Sequence, residues 1–135
     1  MPNPDLEGTL LGFDFGLKRI GVAVGQTVTQ TASPLAVVSS RDGVPDWSHL
    51  KQLIETWQPV AVVVGLPLHL DGSEQALTQS ARKFAQRLSG RFHKRLFLIE
   101  EQLSSREAEA RLGKNLQAVD AHAAQIILEN WLQQR

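Results

Sequence analysis

The pattern of apolar and polar positions changes period along the chain. Residues 9–15 (TLLGFDF) form an apolar run of strand length, and residues 19–25 (RIGVAVG) form another after a link of three residues. A link that short demands a hairpin, so the two strands should pair antiparallel. Residues 33–39 (SPLAVVS) predict a third strand, and the proline near its start suits a sheet edge. From Asp46 the period becomes helical. Leu50, Leu53, Ile54 and Trp57 make one stripe, Asp46 is placed to cap it, and Pro59 ends it.

Residues 60–64 (VAVVV) are a continuous β-branched run, expected of a strand covered on both faces. Gly65-Leu66-Pro67 should break it, and Asp71-Gly72 should turn the chain. Ser73 is the expected cap of a second helix, whose stripe Leu77, Ala81, Phe84, Ala85 and Leu88 is closed by Gly90. Residues 95–99 (RLFLI) predict the last strand. Ser104 and Glu107 have capping-box spacing for a third helix ending at Gly113, and a final helix spans about Val119 to Leu132. Trp47, Trp57 and Trp131 fall at apolar helical positions and read as core.

Three meandering strands followed by two crossover strands predict one α/β domain over residues 1–135. Its sheet is mixed and five-stranded, with helices on both faces. Strand 9–15 should be central, antiparallel to 19–25 and parallel to 60–64. Ligands of such sheets bind beyond the carboxyl ends of the strands, where the order reverses.

Composition narrows the chemistry. There is no cysteine, which excludes disulfides, thiolate zinc sites and thiol nucleophiles. No leader pattern and no apolar run of about 20 residues is visible, so a cytoplasmic protein without a membrane span is expected. Net charge is zero, from 14 basic and 14 acidic residues. Arg82, Lys83, Arg87, Arg91, Lys94 and Arg95 nevertheless form an acid-free stretch, which is either a phosphate-holding stripe or a solvated helix face.

Against this background Asp14 stands out. It lies between Phe13 and Phe15 in a strand expected to be buried, where a lone carboxylate is costly. Gly16 follows it, so a turn-capping role is the alternative. Glu100 and Glu101 end the last strand, and adjacent strand residues face opposite ways, so only one of them can face Asp14. Asp120 opens the final helix on the stripe of Ala124, Ile127 and Trp131. Asp14, one of the two glutamates and Asp120 can converge at one end of the sheet. Three converging acids repel unless a divalent cation neutralises them, and hard oxygen ligands suit Mg²⁺ or Mn²⁺. Removing one acid should then leave the metal-free fold intact or stabilise it. His122 is an auxiliary candidate, although a helix histidine of this kind is more often solvated.

The segments FDFGLKRIGVAVG, VVVGLPLHLDGSE, EEQLSS and VDAHAAQIIL occur in this order. With them the chain resembles the YqgF family, relatives of RuvC-type Holliday junction resolvases within the RNase H-like superfamily. The resemblance covers nearly the whole chain. It implies an Mg²⁺- or Mn²⁺-dependent endonuclease with Asp14, Glu101 and Asp120 as catalytic metal ligands, acting on precursor 16S rRNA or branched DNA. The small-subunit ribosomal precursor is the implied partner. Lys18, Arg19, Arg82, Lys83, Arg87 and Lys114 are the candidate nucleic-acid contacts. Two departures bear on activity. Gln102 stands where the family has an arginine able to pair with the acids, and the loop at 113–118, with Lys114, is short.

Two other functions compete with the nuclease: a non-catalytic nucleic-acid or ribosome-associated module, and a nucleotide-binding domain like the ATPases that share a three-strand start. The missing second half disfavours the ATPase. A monomer suffices to cut one strand, whereas a junction resolvase needs two sites and hence a homodimer.

Overall fold

The computed structural model describes residues 6–112 and 121–134. Its elements are β1 (Thr9–Asp14), β2 (Arg19–Gln26), β3 (Thr31–Arg41), β4 (Val44–Pro45), α1 (Trp47–Trp57), β5 (Ala61–His69), α2 (Ala76–Phe92), β6 (Arg95–Leu103), α3 (Ser105–Arg111) and α4 (Ala121–Gln134). The sheet order is β4-β3-β2-β1-β5-β6. β1 therefore lies in the interior, antiparallel to β2 and parallel to β5, as the link length and the crossover helix require. Six strands replace the expected five because the chain turns after Arg41 and adds the two-residue β4. β3 is thus an edge over most of its length. The β2–β3 register shifts between Val22 and Ala23, which face Ala36 and Pro34. A bulge there accommodates a residue without an N–H.

The two sheet faces carry separate cores. Leu11, Phe13, Phe15, Val62 and Val64 pack with Leu50 and Ile54 of α1 and with Leu77, Phe84 and Leu88 of α2. Leu10, Ala61, Val63 and Ile99 pack with Ala124, Ile127, Leu128 and Leu132 of α4. Trp47 and Trp57 join the first core and Trp131 the second, so all three are packing residues. Strand alternation puts Gly12 and Asp14 on the α4 face with Leu10. A Cβ on Gly12 would stand 2.9 Å from Leu128 Cβ and 3.4 Å from the Ala124 carbonyl oxygen, so α4 rests directly on the backbone of β1. No helix of the described residues is long and apolar enough to cross a membrane.

Several element ends differ from expectation. β5 continues through Gly65-Leu66-Pro67 to His69, paired with β6 as far as Leu103. β1 stops pairing with β5 at Val64, so Pro67 lies where β5 has become an edge on that side and no ladder bond is lost. Glu100 and Glu101 accordingly lie inside β6 rather than beyond it. Ser73 does not cap α2. The Asp71 carboxylate accepts from its N–H at 2.9 Å and from its hydroxyl at 2.6 Å, holding it in the Asp71-Gly72 turn. Gln75 is the cap, and its N–H donates to Thr78 Oγ1. α2 also runs through Gly90 to Phe92, where His93 takes the left-handed conformation at φ 54°. Asp46 caps α1, and the Ser104–Glu107 box forms as its spacing implies. The expected boundaries at Gly113 and Val119 lie outside the described residues.

Two glycines in regular elements should respond oppositely to alanine. Gly12→Ala forces α4 away from β1 and should cost about 1–3 kcal/mol by overpacking. Gly90 has nothing near its Cβ direction on α2, so Gly90→Ala should gain about 0.5–1 kcal/mol. Urea unfolding of both variants checks the pair, and equal effects would contradict this packing.

Candidate active site

Asp14 ends β1 on the α4 face and is 1% exposed. A carboxylate so buried persists as an anion only with a partner. Arg111, at the end of α3, supplies one: its Nε donates to Asp14 Oδ1 at 2.7 Å. Arg111 Nη2 also lies 3.6 Å from Glu101 Oε1, and the arginine side chain is itself 8% exposed. The guanidinium therefore stands between two carboxylates that are 87 residues apart in sequence, at positions 14 and 101.

Glu101 is carried by β6, which is separated from β1 by β5. Its carboxylate crosses that strand at Gly65. A Cβ on Gly65 would stand 2.7 Å from Glu101 Oε2 and 2.7 Å from Ile127 Cδ1. The bare backbone of β5 is thus the passage by which Glu101 approaches Arg111 and Asp14. Glu100, one residue earlier, is exposed and points the other way, which settles which glutamate faces Asp14.

Burial, and secondarily the charge of Asp14, push the Glu101 carboxyl up to about 7, with Arg111 opposing the rise. Burial alone would lower the Arg111 pKa. Asp14 and Glu101 more than offset it, so the guanidinium titrates above a free arginine. The Arg111 carbonyl accepts from Leu17 N at 2.9 Å, which ties α3 to the β1–β2 link.

This arrangement corrects one expectation. The acids do not simply repel in the metal-free protein, because Arg111 neutralises them in part. Removing Asp14 would therefore strand a buried cation rather than relieve a strain. Gln102 carries no charge, and the cation beside the acids is Arg111, from α3. One signal for it was legible in the sequence: a buried acid requires a cation. The choice of Arg111 over Arg106, which is exposed, belongs to tertiary contacts.

Two carboxylates on one buried face are hard oxygen ligands of the kind a divalent cation takes. Asp120, the third expected acid, lies outside the described residues, and among the described residues no cluster of three His, Cys, Asp or Glu forms.

The other candidates are dispersed. His122 is exposed on α4, with Nδ1 3.2 Å from Gln125 Oε1. Lys18 ends the β1–β2 link and Arg19 opens β2. With Ser39, Ser40, Arg41 and Asp46 they line a groove of about 480 Å³. Arg82 is held by Glu74 at 3.1 Å, while Lys83 and Arg87 are exposed on α2. α2 packs on the sheet face opposite Asp14, so the basic stretch is not continuous with the acids. Its later members are also engaged in packing, with Arg91 stacked 4.2 Å over Trp47 and Arg95 5.5 Å over Phe97. Lys114 lies outside the described residues.

Known proteins place this arrangement in context. The family model described as "RuvX: Holliday junction resolvase" matches residues 8–134. A Hydrogenovibrio crunogenus protein named "Putative pre-16S rRNA nuclease" is 65% identical over 94% of this chain and 95% of its own length. A Coxiella burnetii protein of the same name is 51% identical over 100% of this chain and 98% of its own. Among solved structures, Thermus thermophilus RuvC bound to a Holliday junction shares the fold, with a TM-score of 0.58 over 96% of both chains at 16% identity. The family match spans every described element from β1 to α4, and the relatives are alike over nearly their full lengths: the chain belongs to the RuvX family of Holliday junction resolvases.

Proposed function

We propose that this protein is a cytoplasmic Mg²⁺- or Mn²⁺-dependent endonuclease that hydrolyses phosphodiester bonds in structured nucleic acid, with precursor 16S rRNA as its substrate. The delivery of Asp14 and Glu101 from two non-adjacent strands to one buried point over Gly65 carries this reading. The names of the full-length relatives support the substrate.

In this reading Asp14 and Glu101 would hold the metal, together with Asp120, which directly precedes α4 in sequence. When bound, a divalent cation would neutralise the acids, activate water and stabilise the leaving oxygen. A bound cation would take the Glu101 carboxyl in its ionised form, offsetting the burial that raises its pKa to about 7. Lys18, Arg19 and Arg41 line the groove reached from the β1–β2 link and hold substrate phosphates there, fixing register without reading bases. A single-strand cut in precursor rRNA needs only one such site, so a monomer suffices.

Side-by-side incubation of a 16S precursor fragment and a four-way junction, each with Mg²⁺ and with Mn²⁺, tests the proposal. The expected result is metal-dependent cleavage of the precursor that Asp14→Asn abolishes. Cleavage of the junction alone would reassign the substrate, and cleavage surviving Asp14→Asn would remove the site.

The acids should differ in stability when metal is absent. Glu101 binds its proton more tightly folded than unfolded, so its contribution to stability is present at low pH and is lost as pH rises from about 4.5 to about 7. Glu101→Gln should flatten that fall and be at least as stable as wild type above pH 7. Asp14→Asn should instead be less stable by about 1–3 kcal/mol, because it weakens a buried charged partner of Arg111. Melting curves in chelator from pH 4.5 to 8 check both signs.

Gly65→Ala closes the passage used by Glu101. Mn²⁺ affinity, measured calorimetrically, should fall in this variant even when it is compared at a temperature where it is fully folded. Unchanged affinity would mean that Glu101 reaches the metal by another route.

A further inference from the structure

The cleavage reading leaves Arg111 without a part, yet among the described residues it is the side chain that contacts both acids. A cation coordinated by Asp14 and Glu101 would sit about 2.0–2.6 Å from their oxygens. Arg111 Nε already lies 2.7 Å from Asp14 Oδ1, and Nη2 lies 3.6 Å from Glu101 Oε1. The guanidinium and a metal held by both acids would draw on the same two carboxylates, and as like charges they would repel one another there. Formal charge sets the direction of exchange. One guanidinium can balance only one carboxylate, whereas a divalent ion can balance two.

The support of Arg111 is also suited to movement. α3 has only seven residues, and its end is tied by the ion pair to Asp14 and by the Arg111 carbonyl, which accepts from Leu17 N at 2.9 Å. Beyond it, half-buried Leu112 packs against the first core. A short helix held at few points opens at low local cost compared with a core helix such as α2.

We propose that Arg111 is a positioning residue that acts as the resident counter-ion of the site, holding Asp14 and Glu101 together in the metal-free protein and yielding to a divalent cation when one enters. Entry of the metal thereby releases the end of α3. The inference rests on the metal-site reading of these two carboxylates and adds to it a competition built into the chain.

The test is Mn²⁺ binding to the metal-free full chain, followed calorimetrically without nucleic acid. Arg111→Met should bind Mn²⁺ about tenfold more tightly than wild type, a difference of about 1.4 kcal/mol. Arg111→Lys keeps the charge but loses the fork that spans two acids, so it should gain less. A merely structural arginine would give the opposite sign, because its loss would scatter the ligands and weaken binding. Should the variants not fold, wild-type amide exchange decides the matter: Mn²⁺ should speed exchange at Leu17 and across residues 105–112 while leaving α2 unchanged.

Unchanged or weaker Mn²⁺ binding by folded Arg111→Met overturns the proposal and leaves the metal site standing. Slower or unchanged exchange at Leu17 on Mn²⁺ binding does the same. Absence of Mn²⁺ binding in wild type and both variants removes the metal reading and this inference together.

Discussion

A carboxylate at the end of a buried central strand must be compensated, and much of the local architecture follows from how that is done. Asp14 cannot reach water, so a cation has to come to it. Arg111 arrives from α3, late in the chain, and its backbone carbonyl anchors the link between β1 and β2 on the way. One arginine, through two ion pairs, thus couples the first hairpin, α3 and the last strand. Removing either partner of such a pair costs more than the pair contributes on balance, because the survivor remains buried. That asymmetry preserves the arrangement whatever it contributes to net stability.

Glycines on the α4 face make the approach geometrically feasible. Gly12 and Gly25 let Leu128 rest against the sheet, and Gly65 lets a carboxylate pass over β5. The same absence of a side chain serves packing in the first two and access in the third. A larger residue at Gly65 would keep the strand and remove the passage, so this position couples the fold to the chemistry most directly.

Charge on the surface is organised more locally than the linear run of basic residues implies. One helix distributes those residues between an ion pair with Glu74, exposed positions and stacking on Trp47, while Arg95 on β6 stacks on Phe97. Lys18, Arg19 and Arg41 come from two hairpin regions that the β2–β3 pairing brings side by side. In a neutral chain, such local gathering permits phosphate recognition without an overall basic excess.

Periodicity and turn chemistry in the sequence by themselves determined the sheet. The short link forced β1 and β2 antiparallel, the β-branched run at 60–64 identified a strand covered on both faces, and Asp46 and Ser104 marked helix starts through bonds within a few residues. They also singled out Asp14, because a charge in an apolar strand violates a local rule. Element ends fared worse where neighbours decided them. Pro67 is tolerated because β1 has stopped pairing beside it, and Ser73 is taken by the Asp71 turn rather than by a cap. Which glutamate faces Asp14, that Gly65 opens the route, and that Arg111 rather than a residue beside Glu101 supplies the cation were decided only by tertiary structure. The physical reason is one of range: pairing, capping and alternation act over a few residues, whereas compensation of a buried charge depends on which distant side chain the packed fold brings within about 3 Å.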